Sequence, residues 1–138
     1  MVKNYFYLVA GLLCVLFAVT HTLNGTAAVL PVLNQVNMES SIKTSFTYIW
    51  HIIGVENIVM GIALFAMAFQ KNLSKVKFTA HLIIVILMVR WLTIVTFTIL
   101  NDSSALTQLW PDTIAIFVTV ILLLFGTRVK SKVLISHV

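Results

Sequence analysis

Four apolar stretches, each long enough to cross a bilayer, occupy almost the whole chain at residues 5–30, 45–69, 78–100 and 111–127. A helix needs about 20 predominantly apolar residues to span the hydrocarbon core, and in lipid every backbone polar group must be satisfied within the segment itself. That requirement leaves helices as the solution for runs of this length. The links are short: a polar loop over 34–44, a basic one over 70–77 and a third over 101–110 that carries Asp102, Ser103 and Ser104. Long helices with short links fold as antiparallel neighbours. The expected fold is therefore a single all-α integral membrane domain over 1–138, a four-transmembrane-helix up-down bundle, with Pro31 closing the first span.

Composition supports the same class. Sixty per cent of the 138 residues are hydrophobic and only 9% are charged, whereas a soluble domain carries roughly 25% charged residues to cover its surface. Lipids are the implied surroundings. Nine basic residues against four acidic ones would suit nucleic acid if they formed a patch, but they lie between the apolar runs, so no nucleic-acid partner is expected. They act instead as orientation signals. Lys3 precedes the first span, Lys71, Lys75 and Lys77 lie between the second and third, and Arg128, Lys130 and Lys132 follow the fourth. The other side has Lys43, Glu39 and Asp102. Basic residues favour the cytoplasmic side, so both termini are expected there, in a plasma (inner) membrane, with Tyr48, Trp50 and Trp110 as aromatic rings at the outer boundary. The first apolar run exceeds the usual signal-peptide core of 7–15 residues and reads as a span.

No internal repeat is visible, since His21 and His51 have no counterparts at equal depth in the second hairpin. The single cysteine, Cys14, precludes an intrachain disulfide and reads as a small packing residue. No Cys-x-x-Cys-His, phosphate loop or nucleophile elbow supports soluble-enzyme chemistry.

The informative residues are the polar ones inside the spans. A charge at the bilayer centre costs at least about 2.5–3.5 kcal/mol, so each needs a partner or a task. They are His21 and Asn24 on the first span, His51, Glu56 and Asn57 on the second, Arg90 on the third and Asp112 at the start of the fourth. At about 1.5 Å rise per residue, His21, Glu56 and Arg90 lie roughly 14–16 Å below the outer helix ends, and His51 about 9 Å. Three helices thus place ionisable groups in one layer, with Asp112 at the rim. His21 shares a stripe with Gly11, Cys14, Ala18, Gly25 and Ala28, which is the small-residue pattern of a helix-packing face. On the second span Gly54, Asn57 and Gly61 form a similar face. Glu56 projects about 140° away from His51 at 100° per residue, so the two address different neighbours. His81 lies near the opposite end of its helix and outside the cluster.

Arg90 is permanently charged and its planar fork matches a carboxylate, which makes Glu56 its expected partner. Three functions follow from this set. In the first, an outward-facing pocket floored by Glu56, Arg90 and His21 and lined by His51, Asn24, Asn57 and Asp112 binds a small polar or anionic ligand or an ion, with transport by alternating access or proton relay through the histidines and Glu56 as extensions. In the second, the polar residues only hold helices together in an accessory or scaffold subunit of a homo-oligomer or larger membrane complex, through the Gly54, Asn57 and Gly61 face. In the third, His21 and His51 ligate a haem, or with Glu56 a metal.

Overall fold

The computed structural model describes residues 1–129. Lys130 and Lys132, two of the basic residues in the orientation pattern, lie outside the described residues. Four long apolar helical segments run up and down, each suited by length and composition to crossing a membrane. The first combines α1 (Tyr5–Asn24), a π-helical turn (Gly25–Val29) and α2 (Leu30–Gln35). The others are α3 (Ser40–Ala68), α4 (Lys77–Asn101) and α5 (Trp110–Arg128). Among the described residues there is no strand. Short 3₁₀ helices, Leu73–Val76 and Ser103–Leu109, occupy two of the links.

Pro31 does not close the first span, contrary to expectation. Proline has no N–H to donate and its ring collides with the carbonyl four residues back, which ordinarily kinks or ends a helix. Here the chain widens into the π turn before it: the Leu30 N–H donates to the Gly25 carbonyl, five residues back. Pro31 then falls in the first turn of α2, where its missing donor is not needed. The helix continues to Gln35, and the link to α3 shrinks from the expected 34–44 to residues 36–39. Lys43 Nζ donates to the Asn34 carbonyl at 2.9 Å and ties the two helix ends together.

Helix α1 sits between two neighbours, packing on α3 along one side and α5 on the other, and α5 also packs on α4. Helices α3 and α4 share no extended seam. The bundle is thus closed tightly on three sides and loosely on the fourth. Between α1 and α3 the backbones meet at glycine: a Cβ on Gly11 would lie 3.1 Å from the Gly61 carbonyl oxygen, and one on Gly61 equally close to that of Gly11. In lipid, where no hydrophobic force drives helices together, close approach through small residues supplies the packing. The Gly54 and Gly61 face is therefore spent inside the protein against α1, which removes it as the oligomer contact that the accessory-subunit reading assigned to it.

The packed core occupies the half of the bundle nearest the chain ends, around Tyr7, Ala10, Cys14, Leu64, Ala80, Leu87 and Leu123. Asn4 fastens that end. Its side chain accepts from the Phe6 and Tyr7 N–H groups as the cap of α1 and donates to the Gly126 carbonyl at 2.9 Å, while its backbone N–H donates to the Ala68 carbonyl at 3.1 Å. Outward-facing Leu12, Leu16, Val55, Ile62, Val85, Val89 and Phe125 are exposed. A surface this apolar is the one expected against acyl chains.

Candidate functional site

The opposite half, toward the 36–39 and 102–109 links, is where the polar residues gather. At this distal end a cavity of about 510 Å³ opens between all four spans, lined by His21 and Asn24 from α1, Trp50 and Asn57 from α3, Arg90 from α4, and Asp112 from α5, with Cys14, Phe17, Leu87, Ile94 and Ile116 as its apolar walls. Its size falls within the roughly 300–1,000 Å³ of small-ligand sites. Five of the seven residues expected in a pocket, His21, Asn24, Asn57, Arg90 and Asp112, line it. His51 and Glu56 do not. They line a second, more open recess of about 920 Å³ that follows α3 past Lys43, Thr47, Ile52, Val55 and Val59 and reaches Ile86 and Arg90 of α4. The physical reason is the rotation between positions along α3: Asn57 and Trp50 share the face turned to the bundle axis, whereas His51 and Glu56 lie off it to either side and both border the one wide recess, so the expectation that they address different neighbours is not met. Glu56 thus floors the lateral groove, and the expected single pocket is divided in two.

Arg90 belongs to both. One guanidinium nitrogen, Nη1, donates to Asn57 Oδ1 at 3.1 Å, and the other, Nη2, donates to Glu56 Oε2 in an ion pair. Its side chain is 15% exposed and that of Glu56 is 51% exposed. Among the described residues, these are the hydrogen bonds that join α3 to α4. A guanidinium carries five N–H donors, so these two bonds leave three donors on a side chain that lines both spaces. The Arg90 fork is in effect the partition between the two spaces.

His21 is fixed more firmly than its sequence context suggests. Its Nε2 lies 3.1 Å from the Trp50 carbonyl oxygen, and the Trp50 indole N–H donates back to the His21 carbonyl at 3.3 Å. The two rings stack with centroids 4.3 Å apart and planes 12° from parallel. A carbonyl only accepts, so Nε2 carries a proton in this contact. Gly25 makes room for this lock, since a Cβ there would come within 1.9 Å of Trp50 Nε1. Trp50 is accordingly an interior wall of the cavity and not a boundary ring, which corrects its expected place; Tyr48 and Trp110 are exposed. The glycine four residues after His21 was the available signal that a large ring from another helix is received there.

The haem and metal reading finds no converging pair. His21 lines the central cavity with Nε2 occupied, and His51 lines the lateral groove. Among the described residues no group of three or more His, Cys, Asp or Glu side chains is placed to hold a metal. His81, expected outside the cluster, is exposed and bonds through Nδ1 to the Lys77 carbonyl oxygen at 2.7 Å. Threonines near the site satisfy their own hydroxyls: Thr20 donates to Leu16 and Phe17 carbonyls, and buried Thr119 to that of Ala115. They present methyl groups or spare lone pairs to the cavity.

What the arrangement can do is hold a small molecule by one polar end. Arg90 and Asn57 offer a cation and an amide at the floor, His21 offers its second ring nitrogen, and Asn24 and Asp112 frame the mouth. The walls between are apolar. Searches among protein families, curated proteins and solved structures give no match to this chain.

Proposed function

We propose that this chain is a ligand-binding protein of the plasma (inner) membrane, with both termini cytoplasmic, that admits a small polar or anionic molecule from the outer side into the cavity floored by Arg90 and Asn57. The observation that carries this reading is the position of Arg90, largely buried at the base of a cavity to which every span contributes. A cation retained at that depth costs free energy that a purely structural helix contact does not require, because well-packed apolar residues in place of a buried pair are commonly as stable or more so. The polar residues of the bundle crowd the distal half, while the other half is a packed apolar core. That asymmetry suits a site open on one side better than a conduit, which needs polar lining throughout.

The test is ligand-dependent stability of the purified protein in nanodiscs, screened with small carboxylates, phosphates, amines and neutral polyols. An anion present at about 100 times its dissociation constant should stabilise the fold by about 2.7 kcal/mol. Replacing Ala115, on the cavity wall, by Trp should abolish the shift while the protein remains helical. If no compound of the panel shifts unfolding, and the Ala115→Trp variant unfolds like the native protein, the cavity is not a ligand site.

A further inference from the structure

The partition formed by Arg90 separates the cavity from a groove that opens sideways, on the one side of the bundle where the helices do not pack together. The groove is graded. Lys43, Thr44, Thr47 and His51 line its distal part, and Ile52, Val55, Val59 and Ile86 continue it toward the middle of the span. That is the profile of a bilayer leaflet, polar at the headgroup level and apolar below, and it matches an amphiphile lying parallel to the helices. The cavity beyond the partition offers apolar walls above the polar floor of Arg90 and Asn57.

Only the Arg90 fork, through Glu56 and Asn57, hydrogen-bonds across this seam among the described residues. Glu56 is its exposed member and borders the groove, whereas Arg90 lines both spaces. Arg90 holds Glu56 through one nitrogen and one carboxylate oxygen, its other terminal nitrogen being on Asn57, and a guanidinium N–H donates to any other carboxylate in that single contact. An incoming carboxylate can therefore take the place of Glu56 at the fork without leaving Arg90 unpaired, and breaking that bond is what joins groove to cavity. Resting on the ligand-binding reading above, but with the bilayer in place of the aqueous outer side as the route of entry, we infer that the ligand is a single-chain amphiphile with a carboxylate head, that it arrives laterally from the membrane along the α3–α4 groove, and that it enters by displacing Glu56 from Arg90.

The native cysteine provides the reporter, because Cys14 is 2% exposed and its side chain lines the cavity. The experiment measures the rate at which bilayer-dissolved N-pyrenylmaleimide labels Cys14 in nanodiscs, with and without dodecanoate, dodecanol or acetate. Dodecanoate at about ten times its dissociation constant should slow labelling about tenfold by mass action, while dodecanol at equal membrane loading leaves the rate unchanged. Glu56→Gln, which weakens the latch and keeps Arg90, should label faster than the native protein and still be protected by dodecanoate. Arg90→Gln should label fastest and lose protection; Arg90→Lys, which keeps the charge and loses the fork, should be protected weakly and serves if Arg90→Gln does not fold. Equal protection by dodecanol would overturn head-group recognition, and a native labelling rate in Glu56→Gln would overturn the latch. Protection by acetate with none by dodecanoate would leave the cavity as a site for small aqueous anions and sink the lateral route. If neither this reagent nor a water-soluble maleimide reaches Cys14 in any variant, the cavity reading itself fails.

Discussion

At the scale of the residue, the site is built from pairs that fix one another. His21 and Trp50 exchange hydrogen bonds between side chain and backbone in both directions, and Gly25 is the space that lets the indole lie flat against α1. Replacing Gly25 by Ala forces the indole off the His21 ring, and overpacking of this kind costs about 1–3 kcal/mol. We expect a lowered unfolding temperature in detergent together with a red-shifted tryptophan emission as Trp50 is released; an unchanged spectrum would mean that the stack does not hold. The Arg90–Glu56 pair makes a different demand. Removing one partner leaves a charge uncompensated, which costs about 3–5 kcal/mol at a buried site, whereas replacing both with apolar residues of similar size is often neutral or better. Glu56 is half exposed, so the lower end of that range applies. Arg90→Ala should thus reduce the folded yield more than the double change Arg90→Met with Glu56→Met, and a double variant no better tolerated than the single one would show that the two are not mutual partners.

At the scale of the element, the sequence made the helices legible and hid how they end and turn. Spans three and four were readable to within a residue or so because a turn of basic or polar residues closes each apolar run on both sides. The first was misjudged at Pro31, where the usual rule that proline stops a helix met a local solution, the π turn, that leaves no mark in hydropathy. His21 sits off the layer expected for it, bonding to Trp50 six residues before Glu56 on α3, because the first span runs on to Gln35 and α3 begins at Ser40, but the equal depths of Glu56 and Arg90, which meet, were legible. Their direction was not, because a hydropathy pattern that is apolar on every side does not say which side meets lipid and which meets a neighbouring helix. Glycine positions carried that information, since Gly11, Gly25, Gly54 and Gly61 mark where α1 and α3 touch, and the rotation of Glu56 away from the axis follows once that contact is fixed. The π turn is itself testable. Deleting Ala27 would return residues 25–29 to α-helical spacing and bring the Pro31 ring against a carbonyl, at a cost of about 3 kcal/mol. The same deletion combined with Pro31→Ala should recover most of that loss in thermal unfolding; equal loss in both would mean that the turn exists for another reason.

At the scale of the whole molecule, the fold is a bundle whose two ends have different tasks. The end near the termini is packed and apolar, closed by Asn4, and the distal end is polar and hollow. The proposed orientation, with the hollow end outside, rests on Lys3, Lys71, Lys75, Lys77 and Arg128 lying at the packed end. Single cysteines at Lys75 and Ser103, in a background with Cys14 replaced by Ala, should react with an impermeant maleimide from opposite faces of the membrane. Labelling of Ser103→Cys from outside and of Lys75→Cys only after permeabilisation is the expected result, and labelling from one face alone would break the topology.

The position of α1 has a consequence in time. It precedes its partners α3 and α5 in the chain, and the Asn4 side chain bonds to a Gly126 carbonyl that does not exist until α5 has been made. During synthesis α1 must wait in the membrane with its glycine stripe and His21 unmatched, and lipids or an insertion factor have to tolerate that interval. Fragments that end before α5 therefore keep three hydrophobic spans and the Asn4 bond to Ala68 but leave the Asn4 side-chain amide without its Gly126 acceptor.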